Sequence, residues 1–353
     1  MIHRPYYHCR HCHSGHAPWD AQLRLSSRQL TPAAEELAAL AGTLEPFEEA
    51  SQSSLRRMAG LRLSESTVER VTEAAGMRLG ALLDAGYSVG DEGTWSWRCD
   101  AQGRRCAYVS LDAVAVPLQG PDGKAADWRM AWVGTVYNPG KADETGRNGW
   151  HQATYVASIR DLSDFRLLLR RQATAVGFDE AQQQIAISDG GAGLEALFRE
   201  LFPRAEVILD FWHARERLVK LAAEWFPSDE AARKGWIKDR SHQLRHEGGA
   251  AVLATLEGME LSGLRDTALQ AHAEHTGYFR NHMHKMDYPR YRANGWQIGS
   301  GPVESACKTV VSRRLKQSGM RWGDSGGDAL CHIRALYRSG PRRWQSFWAH
   351  AVP

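Results

Sequence analysis

The stretch IAISDGGAGLEALFRELFPRAEVILDFWHARER, residues Ile185–Arg217, determines the predicted fold class of this 353-residue chain. Two apolar runs, Ile185–Ser188 and Val207–Leu209, predict buried strands, and Leu194–Phe202 between them has apolar residues at helical spacing. Each run is followed directly by an aspartate. In open sheets with alternating strands and helices, ligands bind beyond the carboxyl ends of the strands. The stretch therefore predicts a metal or proton-transfer site at that edge.

The residues before this stretch predict three further strands and a helix. Cys106–Val116, Asp127–Tyr137 and Trp150–Ile159 are rich in β-forming residues and are separated by loop residues. Asp161–Val176 has an apolar helical face and ends at Gly177. The order strand, strand, strand, helix, strand, helix, strand, helix predicts an α/β fold, a mixed sheet with helices on its faces.

Three acids, Asp112, Asp189 and Asp210, interrupt or follow the apolar strands. A single acid of this kind is usually bonded to Arg, Lys or backbone, but three favour a shared site. Oxygen ligands favour Mg²⁺ or Mn²⁺. His213 lies three residues after Asp210 and shares its face if a helix begins there. It would orient a carboxylate, contact a phosphate or move a proton; alternatively it only caps the helix.

A further acid, Glu304, lies in the glycine-rich segment GWQIGSGPVES, Gly295–Ser305, with Pro302 at the first helical position. The helix dipole alone accounts for an acid in the first turn. The basic run Ser312–Lys316 follows, and residues 289–343 carry eleven Lys or Arg against three acids, a net charge of +8. An acid beside such a basic segment suits a metal-dependent enzyme acting on a polyanion, although a solvated basic face is the alternative.

The composition is that of an ordinary globular protein, with 43% hydrophobic and 24% charged residues. The start of the chain lacks an apolar segment of signal-peptide length, and no later stretch approaches a membrane span. Six cysteines are scattered along the chain, which fits a reducing cytosol. The expected location is cytoplasmic, with no membrane partner.

Cys9 and Cys12 form a C-x-x-C pair among several histidines. Such a pair supplies half of a tetrahedral Zn²⁺ site, which needs four ligands. Because only one C-x-x-C pair is present, we expect that this chain is an N-terminally shortened version of a longer one, in which a second C-x-x-C pair lay upstream of Met1. A solvated His-rich tail without metal is the alternative interpretation.

The region from Thr31 to Gly86 is helical in pattern. Thr31 followed by Pro32 predicts a helix start, and Leu55–Ala59 predicts a short helix that ends at Gly60. Ser66 and Glu69 have the spacing of a capping box for the next helix. Helix, glycine turn and capped helix resemble a helix-turn-helix that binds DNA, or form a plain helical scaffold.

Residues Ala214–Ala293 are mostly helical in pattern and predict a helical insertion. Its histidines, among them His272 and His275, lack metal-ligand spacing. We expect them on solvated or nucleic-acid-facing surfaces.

Four segments together resemble the Kra-type bacterial insertion-sequence transposases, relatives of the Mutator-like DDE group. They are LDAVAV around Asp112, ISDGGAGL around Asp189, DFWHARERL around Asp210, and NGWQIGSGPVESACKTVVSRRLKQSGMRW around Glu304. The similarity extends from YYHCRHCHSGHAPWD near the start to WQSFW near the end. Each motif is short, but their order is specific.

The resemblance implies a ribonuclease H-like core in which the first and fourth strands lie side by side, so that Asp112 and Asp189 converge. Glu304 would complete the catalytic, metal-binding triad, and Asp210-x-x-His213 matches the group's accessory catalytic signature. The implied segments are a partial zinc-ribbon-like 1–29, a helical, helix-turn-helix-like DNA-binding 30–90, the core 100–213 with a helical insertion 214–294, and the last core helices with a basic region 295–353.

The implied activity is divalent-metal-dependent DNA cleavage and strand transfer of a mobile element. Mg²⁺ or Mn²⁺ would activate the nucleophile and neutralise charge on the transferring phosphate. Arg313, Arg314, Lys316 and Arg321 would hold the DNA backbone, and Cys9 and Cys12 would bind Zn²⁺. The expected partners are terminal inverted repeats, target DNA and further copies of the chain, at the bacterial nucleoid.

Two other functions fit the same residues. One is a shortened or repurposed DNA-binding protein that keeps the fold, which the single C-x-x-C favours. The other is a ribonuclease H-like nuclease that cuts DNA without joining it. The presence of Asp112, Asp189 and Glu304 favours an enzyme.

Overall fold

The computed structural model describes residues 3–23, 25, 30–90, 93–120, 124–142 and 148–349. Of the predicted segment 1–29, residues 1, 2, 24 and 26–29 therefore lie outside the described residues. The described residues form seven strands: β1 Tyr7–His8, β2 Gly15–His16, β3 Cys106–Gln119, β4 Ala125–Ala142, β5 Asn148–Ser158, β6 Gln183–Ser188 and β7 Ala205–Leu209. The chain forms a mixed α/β fold, as predicted.

The helices fall into three groups along the chain. Before the large sheet are α1 Trp19–Gln22, α2 Pro32–Leu44, α3 Phe47–Glu49 and α4 Glu65–Asp84. Within and after the sheet are α5 Leu162–Ala175, α6 Leu194–Leu201, α7 Phe211–Trp225, α8 Glu230–Glu247, α9 Gly249–Glu257, α10 Asp266–His282 and α11 Tyr288–Ala293. The last group is α12 Gly301–Ala306, α13 Arg313–Leu315, α14 Asp324–Arg338 and α15 Pro341–Ala349.

Shorter helical pieces connect some of these elements. Ala50–Met58 and Cys307–Ser312 are π-helical, and they continue α3 and α12. Phe178–Glu180 and Met283–Lys285 are 3₁₀ turns. The segment from α12 to α13 is therefore helical throughout, from Gly301 to Leu315.

The large sheet has five strands in the order β5-β4-β3-β6-β7. β3, β4 and β5 are antiparallel neighbours, whereas β6 pairs parallel to β3 and β7 pairs parallel to β6. The predicted meander of three strands is confirmed, and so is the adjacency of the first and fourth strands. β3 extends beyond the end of β6: it pairs with β6 only as far as Ser110 but with β4 as far as Gln119.

The two faces of this sheet are covered by different helices, because side chains alternate along each strand. On one face Val109 and Leu111 of β3 pack with Phe165 of α5 and Phe198 of α6. On the other face Tyr108 packs in a cluster that includes residues of α7 and of the insertion helices. The even-numbered residues of β3, among them Asp112, thus point to the side of α7.

The predicted insertion forms α8–α11, together with most of α7. His272 and His275 are buried between its helices. His272 Nε2 lies 2.8 Å from the carbonyl oxygen of Leu256, and its ring lies 5.6 Å from that of Trp225. The expectation of a solvated surface was wrong for these two residues, because α9 and α10 pack their apolar faces together around them.

The helices α2 and α4 do not form a core of their own. They share one hydrophobic core with β3–β5, the π-helix after α12, and α14. A side chain at Gly76 of α4 would come within 2.2 Å of the Ala329 carbonyl oxygen of α14, so the two helix backbones are in close contact. The predicted segments 30–90 and 295–353 are thus packed against each other.

The predicted start of α2 is confirmed, but two other predicted helix starts in this region were wrong. The predicted short helix Leu55–Ala59 is the end of a helical segment that begins at Phe47. Thr31 caps α2, with its side chain accepting from Ala34 N, and Pro32 is the first helical residue. α4, in contrast, is capped by Ser64, whose Oγ accepts from Thr67 N at 3.2 Å. The predicted capping box of Ser66 and Glu69 was wrong, because Ser64 starts the helix two residues earlier.

Asp328 of α14 connects that helix to β5. Its Oδ1 accepts from Ser158 Oγ at 2.6 Å and from Ile159 N at 3.0 Å, and its Oδ2 lies 3.2 Å from His332 Nε2 and 3.3 Å from Arg160 Nε. Burial alone would raise the pKa of Asp328, but these partners, His332 first, lower it to about 2. The charged carboxylate therefore stabilises the fold.

We expect Asp328→Asn to lower the free energy of unfolding at pH 7 by about 2 kcal/mol. Because the folded pKa is about 2 and the ordinary value is 3.8, this stabilisation is complete above about pH 4 and is lost as the pH falls towards 2. Urea unfolding at several pH values measures the difference. Asp324→Asn is the matched control, since Asp324 on the same helix is 65% exposed. Equal effects of the two substitutions at pH 7 would contradict the account.

In the part of the chain that the structure describes, no helix is both long enough and apolar enough to cross a membrane.

Candidate metal and nucleic-acid site

The three aspartates lie side by side at one edge of the sheet. Ser110 of β3 pairs with Ile187 of β6, so Asp112 is level with Asp189, two residues further along each strand. Ser188 pairs with Leu209, and Asp210 N donates to the Ser188 carbonyl oxygen at 2.8 Å, so Asp210 is level with Asp189. Strand register therefore brings together residues that are distant in the sequence.

Asp189 is held by the turn that follows it. Asp189 Oδ1 accepts from Gly191 N at 2.8 Å, within the turn that opens α6. Gly190 in this turn has a φ of +82°, and a side chain there would come within 2.5 Å of Leu209. Glycine is therefore required at position 190, both by the positive φ and by the close approach of Leu209 on the next strand.

Asp210 is completely buried and caps α7. Its Oδ1 accepts from the N–H groups of Trp212 and His213, at 2.5 and 3.3 Å. Its Oδ2 accepts from Ser300 N at 2.7 Å and from Ser300 Oγ. Burial alone would raise the pKa of Asp210, but its contacts with His213 and Ser300 hold the pKa below its ordinary value.

The loop before α12 brings Glu304 to the same edge. Phe211 N donates to the Ile298 carbonyl oxygen at 2.9 Å, so this loop is fixed against the start of α7. Ser300 Oγ lies 2.6 Å from Glu304 Oε1 as well as against Asp210. One hydroxyl hydrogen serves only one carboxylate at a time.

His213 lies beside these carboxylates on the first turn of α7. Its Nδ1 is 3.6 Å from Asp210 Oδ2, which is an ion-pair distance but too long for a hydrogen bond. The contact with Asp210, and the negative charges of Asp189 and Glu304, raise the pKa of His213 to about 8. The predicted shared face of Asp210 and His213 is confirmed.

Asp112 is half-buried and close to Asp189. Burial raises the pKa of Asp112, and the charge of Asp189 raises it further, while a hydrogen bond from Ala113 N at 2.7 Å opposes this. The Cys307 thiol lies 3.6 Å from Asp112 Oδ2. Burial raises the pKa of that thiol, and the charges of Asp112 and Glu304 add to the effect. Cys307, one helical turn after Glu304, thus brings the helical segment of Glu304 into contact with Asp112.

The tightest group of ligand atoms differs from the predicted triad. Among the described residues, atoms of Asp210, His213 and Glu304 lie within 4.8 Å of one another, as a metal site requires. Asp210, however, already accepts hydrogen bonds on both oxygens. Asp112, Asp189 and Glu304 form no ion pair with Arg or Lys in the described parts of the chain. The positive charge that lies beside them is that of His213, and the excess of negative charge fits a bound divalent cation.

Cys9 and Cys12 lie in the turn of the β1–β2 hairpin. Cys9 N donates to the Ser14 carbonyl oxygen at 2.8 Å, and Cys12 N donates to Cys9 Sγ at 3.5 Å. Both thiols are therefore exposed at one end of the hairpin. A third ligand does not join them in metal-binding geometry within the described residues.

Three of the four predicted DNA-binding residues are exposed, and one is buried. Arg313, Lys316 and Arg321 are exposed, and Lys316 Nζ lies 5.5 Å from the Trp128 ring. Arg314 is completely buried: its guanidinium lies over the Phe47 ring and Nε donates to the Gly42 carbonyl oxygen at 3.1 Å. A phosphate cannot reach it, so the predicted DNA contact is wrong for Arg314 in this structure.

Sequence analysis did not identify two residues of this site. Ser300 lies between Asp210 and Glu304, and Cys307 lies against Asp112. Ser300 is conspicuous only as the polar residue between two glycines, directly before the helix of Glu304. The cysteine carries no such signal, because a buried thiol is usually only a small apolar residue.

No protein-family model matches this chain, and no curated protein is significantly similar to it.

Proposed function

We propose that the chain is a DDE transposase that cleaves DNA with a divalent metal and joins the free end to target DNA. The observation that carries the proposal is the convergence of Asp112, Asp189 and Glu304 from two strands and a later helix. Asp112 and Asp189 lie level on neighbouring parallel strands. Ser300 joins Glu304 to Asp210 beside them, and Cys307 of the same helical segment contacts Asp112.

The sheet supports the finer proposal of a ribonuclease H-like core. The first strand of the large sheet, β3, lies beside the fourth, β6, and the two are parallel. The first three strands form an antiparallel meander at the other side. The helical insertion between β7 and α12 separates Glu304 from the aspartates in the sequence, as expected for this group of transposases.

Mg²⁺ or Mn²⁺ bound by Asp112, Asp189 and Glu304 would supply activation of the attacking oxygen and neutralisation of the transferring phosphate. Strand register and the loop before α12 bring the three carboxylates to the same end of the sheet. Asp189 and Glu304 each accept a hydrogen bond on one oxygen, from a backbone N–H and a hydroxyl respectively, which leaves the other oxygen available. On Asp112 both oxygens have a donor, a backbone N–H and a thiol. Asp210 fixes the loop of Ser300, and His213 holds positive charge beside the carboxylates. These two act as positioning residues.

Arg313, Lys316 and Arg321 would hold the DNA backbone, because they are exposed and follow Glu304 closely in the chain. The front of α4, with Ser66 and Arg70 exposed, is the proposed helix-turn-helix surface. The hairpin of Cys9 and Cys12 is proposed as part of a Zn²⁺-binding segment that contacts terminal inverted repeats. Oligomer formation on DNA and a place at the cytoplasmic nucleoid belong to the same proposal.

We expect Arg313→Ala to change DNA binding and Arg314→Met to change the stability of the fold. Arg313→Ala removes one phosphate contact, so the slope of log binding constant against log salt for duplex DNA should fall by about 0.9. Arg314→Met leaves the Gly42 carbonyl without its donor, so the free energy of unfolding should fall by about 2 kcal/mol while the salt slope stays unchanged. Fluorescence anisotropy and urea unfolding of both variants measure this. A reduced slope in the folded Arg314 variant alone would contradict the assignment.

The function is tested with purified protein and a duplex that carries the DNA flanking its gene. Supercoiled plasmid serves as the target, with Mg²⁺, Mn²⁺ or EDTA. We expect metal-dependent cleavage and joined products. Cleavage without joining would instead identify a nuclease. DNA binding without cleavage in either metal would identify a DNA-binding protein and refute the enzyme.

A further inference from the structure

A cleft with a volume of about 590 Å³ lies between α7 and α8, beside the carboxylate site. The aromatic and basic residues of its lining include Trp212, Arg215, Lys234, Lys238, His242 and Arg245. None of the described lining residues is a carboxylate. The cleft is therefore positively charged and has an aromatic wall.

The positive charge of this cleft is largely not neutralised by the protein. Arg215, Lys238 and Arg245 form no ion pair with a carboxylate in the described parts of the chain, whereas Lys234 pairs with Glu230 at 2.6 Å. Burial and the positive charges of Arg292 and Arg215 lower the pKa of Arg245. Arg215 is held in place by its Nε, which donates to Ser241 Oγ at 3.1 Å. Uncompensated cations in fixed positions indicate an anionic ligand.

The aromatic wall indicates that this ligand also has a flat ring. Trp212 is a large apolar residue that remains 56% exposed in the cleft. The guanidinium groups of Arg215 and Arg245 each lie 5.9 Å from its ring centroid. A nucleotide has both parts, a base that stacks on an aromatic ring and a phosphate that binds arginine. In duplex DNA the base faces are covered by their neighbours, so stacking on Trp212 requires an unpaired base.

Trp212 also connects the cleft to the carboxylates. Its backbone N–H donates to Asp210 Oδ1. Its ring lies against Gly299, where an added Cβ would be 3.5 Å from Trp212 Cδ1. Gly299 precedes Ser300, which bonds Asp210 and Glu304. A strand leaving the carboxylate site on this side therefore meets Trp212 first and the basic residues of α8 next.

We infer that the cleft between α7 and α8 holds an unpaired strand of DNA, with one base stacked on Trp212 and phosphates bound by Arg215, Lys238 and Arg245. The identity of the ligand as DNA rests on the proposed function. The unpaired strand would be the one separated from its complement at the cleavage site. This gives the helical insertion a role in binding, distinct from the surface of Arg313, Lys316 and Arg321.

The inference is tested by fluorescence anisotropy of a labelled single-stranded oligothymidine in EDTA, with the full chain. Trp212→Ala should bind at least about fivefold more weakly, and Trp212→Phe, which keeps an aromatic ring, should stay within about twofold of wild type. Lys238→Ala should reduce the salt slope by about 0.7. Lys220→Ala removes an equal charge from α7 outside the cleft and should leave binding unchanged.

Unchanged affinity of folded Trp212→Ala, or equal losses in the Lys238 and Lys220 variants, would overturn the inference. If Trp212→Ala weakened the binding of duplex DNA more than the binding of single-stranded DNA, the choice of an unpaired strand would be overturned.

The experiments also distinguish failure of this inference from failure of the proposed function. Trp212-dependent single-strand binding without cleavage refutes the transposase but keeps the cleft, whereas cleavage that is unaffected by Trp212→Ala, with unchanged single-strand affinity, refutes the cleft alone.

Discussion

Asp189→Asn is expected to reduce metal-dependent DNA cleavage by about 10³-fold or more, because losing a metal-binding charge costs several kcal/mol of transition-state stabilisation. Asparagine keeps the size of the side chain, and its oxygen still accepts the hydrogen bond from Gly191 N that shapes the turn. The loss should therefore appear in the cleavage rate, measured from single-turnover nicking of a labelled duplex, and not in folding.

Asp164→Asn is the control for this substitution. Asp164 lies in the first turn of α5, which packs on the opposite face of the sheet from Asp112. The Asp164→Asn substitution removes one negative charge at a distance from the site, so the cleavage rate should change by less than about twofold. Similar rates for the Asp189 and Asp164 variants would exclude Asp189 from the reaction.

Arg334→Met is expected to lower the free energy of unfolding by about 3–5 kcal/mol, since buried acceptors lose their donor. The Arg334 guanidinium on α14 donates to the carbonyl oxygens of Thr43, Thr309 and Val310. It therefore fastens α2 and the π-helix after Glu304 to the same core helix. Burial lowers the pKa of Arg334 to about 10, so it remains charged at neutral pH.

Arg338→Met provides the matched comparison on the same helix. Arg338 is exposed, and we expect a change below about 0.5 kcal/mol in urea unfolding. The Arg334 variant should also cleave DNA more slowly where it is folded, because Glu304 precedes the segment that Arg334 holds. If the free energies of unfolding of the Arg334→Met and Arg338→Met variants differed by less than about 1 kcal/mol, the three carbonyl oxygens would not depend on Arg334.

The strands and their acidic ends were predictable because local chemistry determines them. Short apolar runs that end at Asp189 and Asp210 indicate buried strands that deliver a carboxylate to one sheet edge. The meeting of these residues with Asp112 depends on strand order, which local patterns do not determine. Glu304 was placed by the resemblance, because its first-turn position alone is explained by the helix dipole.

Burial of charged and polar residues was the main failure of prediction. Arg314 lies in a basic run that looks solvated, yet Gly42 and Phe47, far away in the chain, cover it. His272 was expected at the surface and packs under Trp225 instead. In each case a long-range contact supplies the partner that makes burial favourable, and no local sequence pattern carries that information.

The central claim, that Asp112, Asp189 and Glu304 together bind a divalent metal, is tested most directly by anomalous X-ray scattering from a crystal of the protein soaked in Mn²⁺. The account predicts an anomalous peak within coordination distance of carboxylate oxygens from all three residues. Peaks confined to Asp210 and His213, or the absence of a peak at the three carboxylates while Mn²⁺ is bound elsewhere, would contradict it.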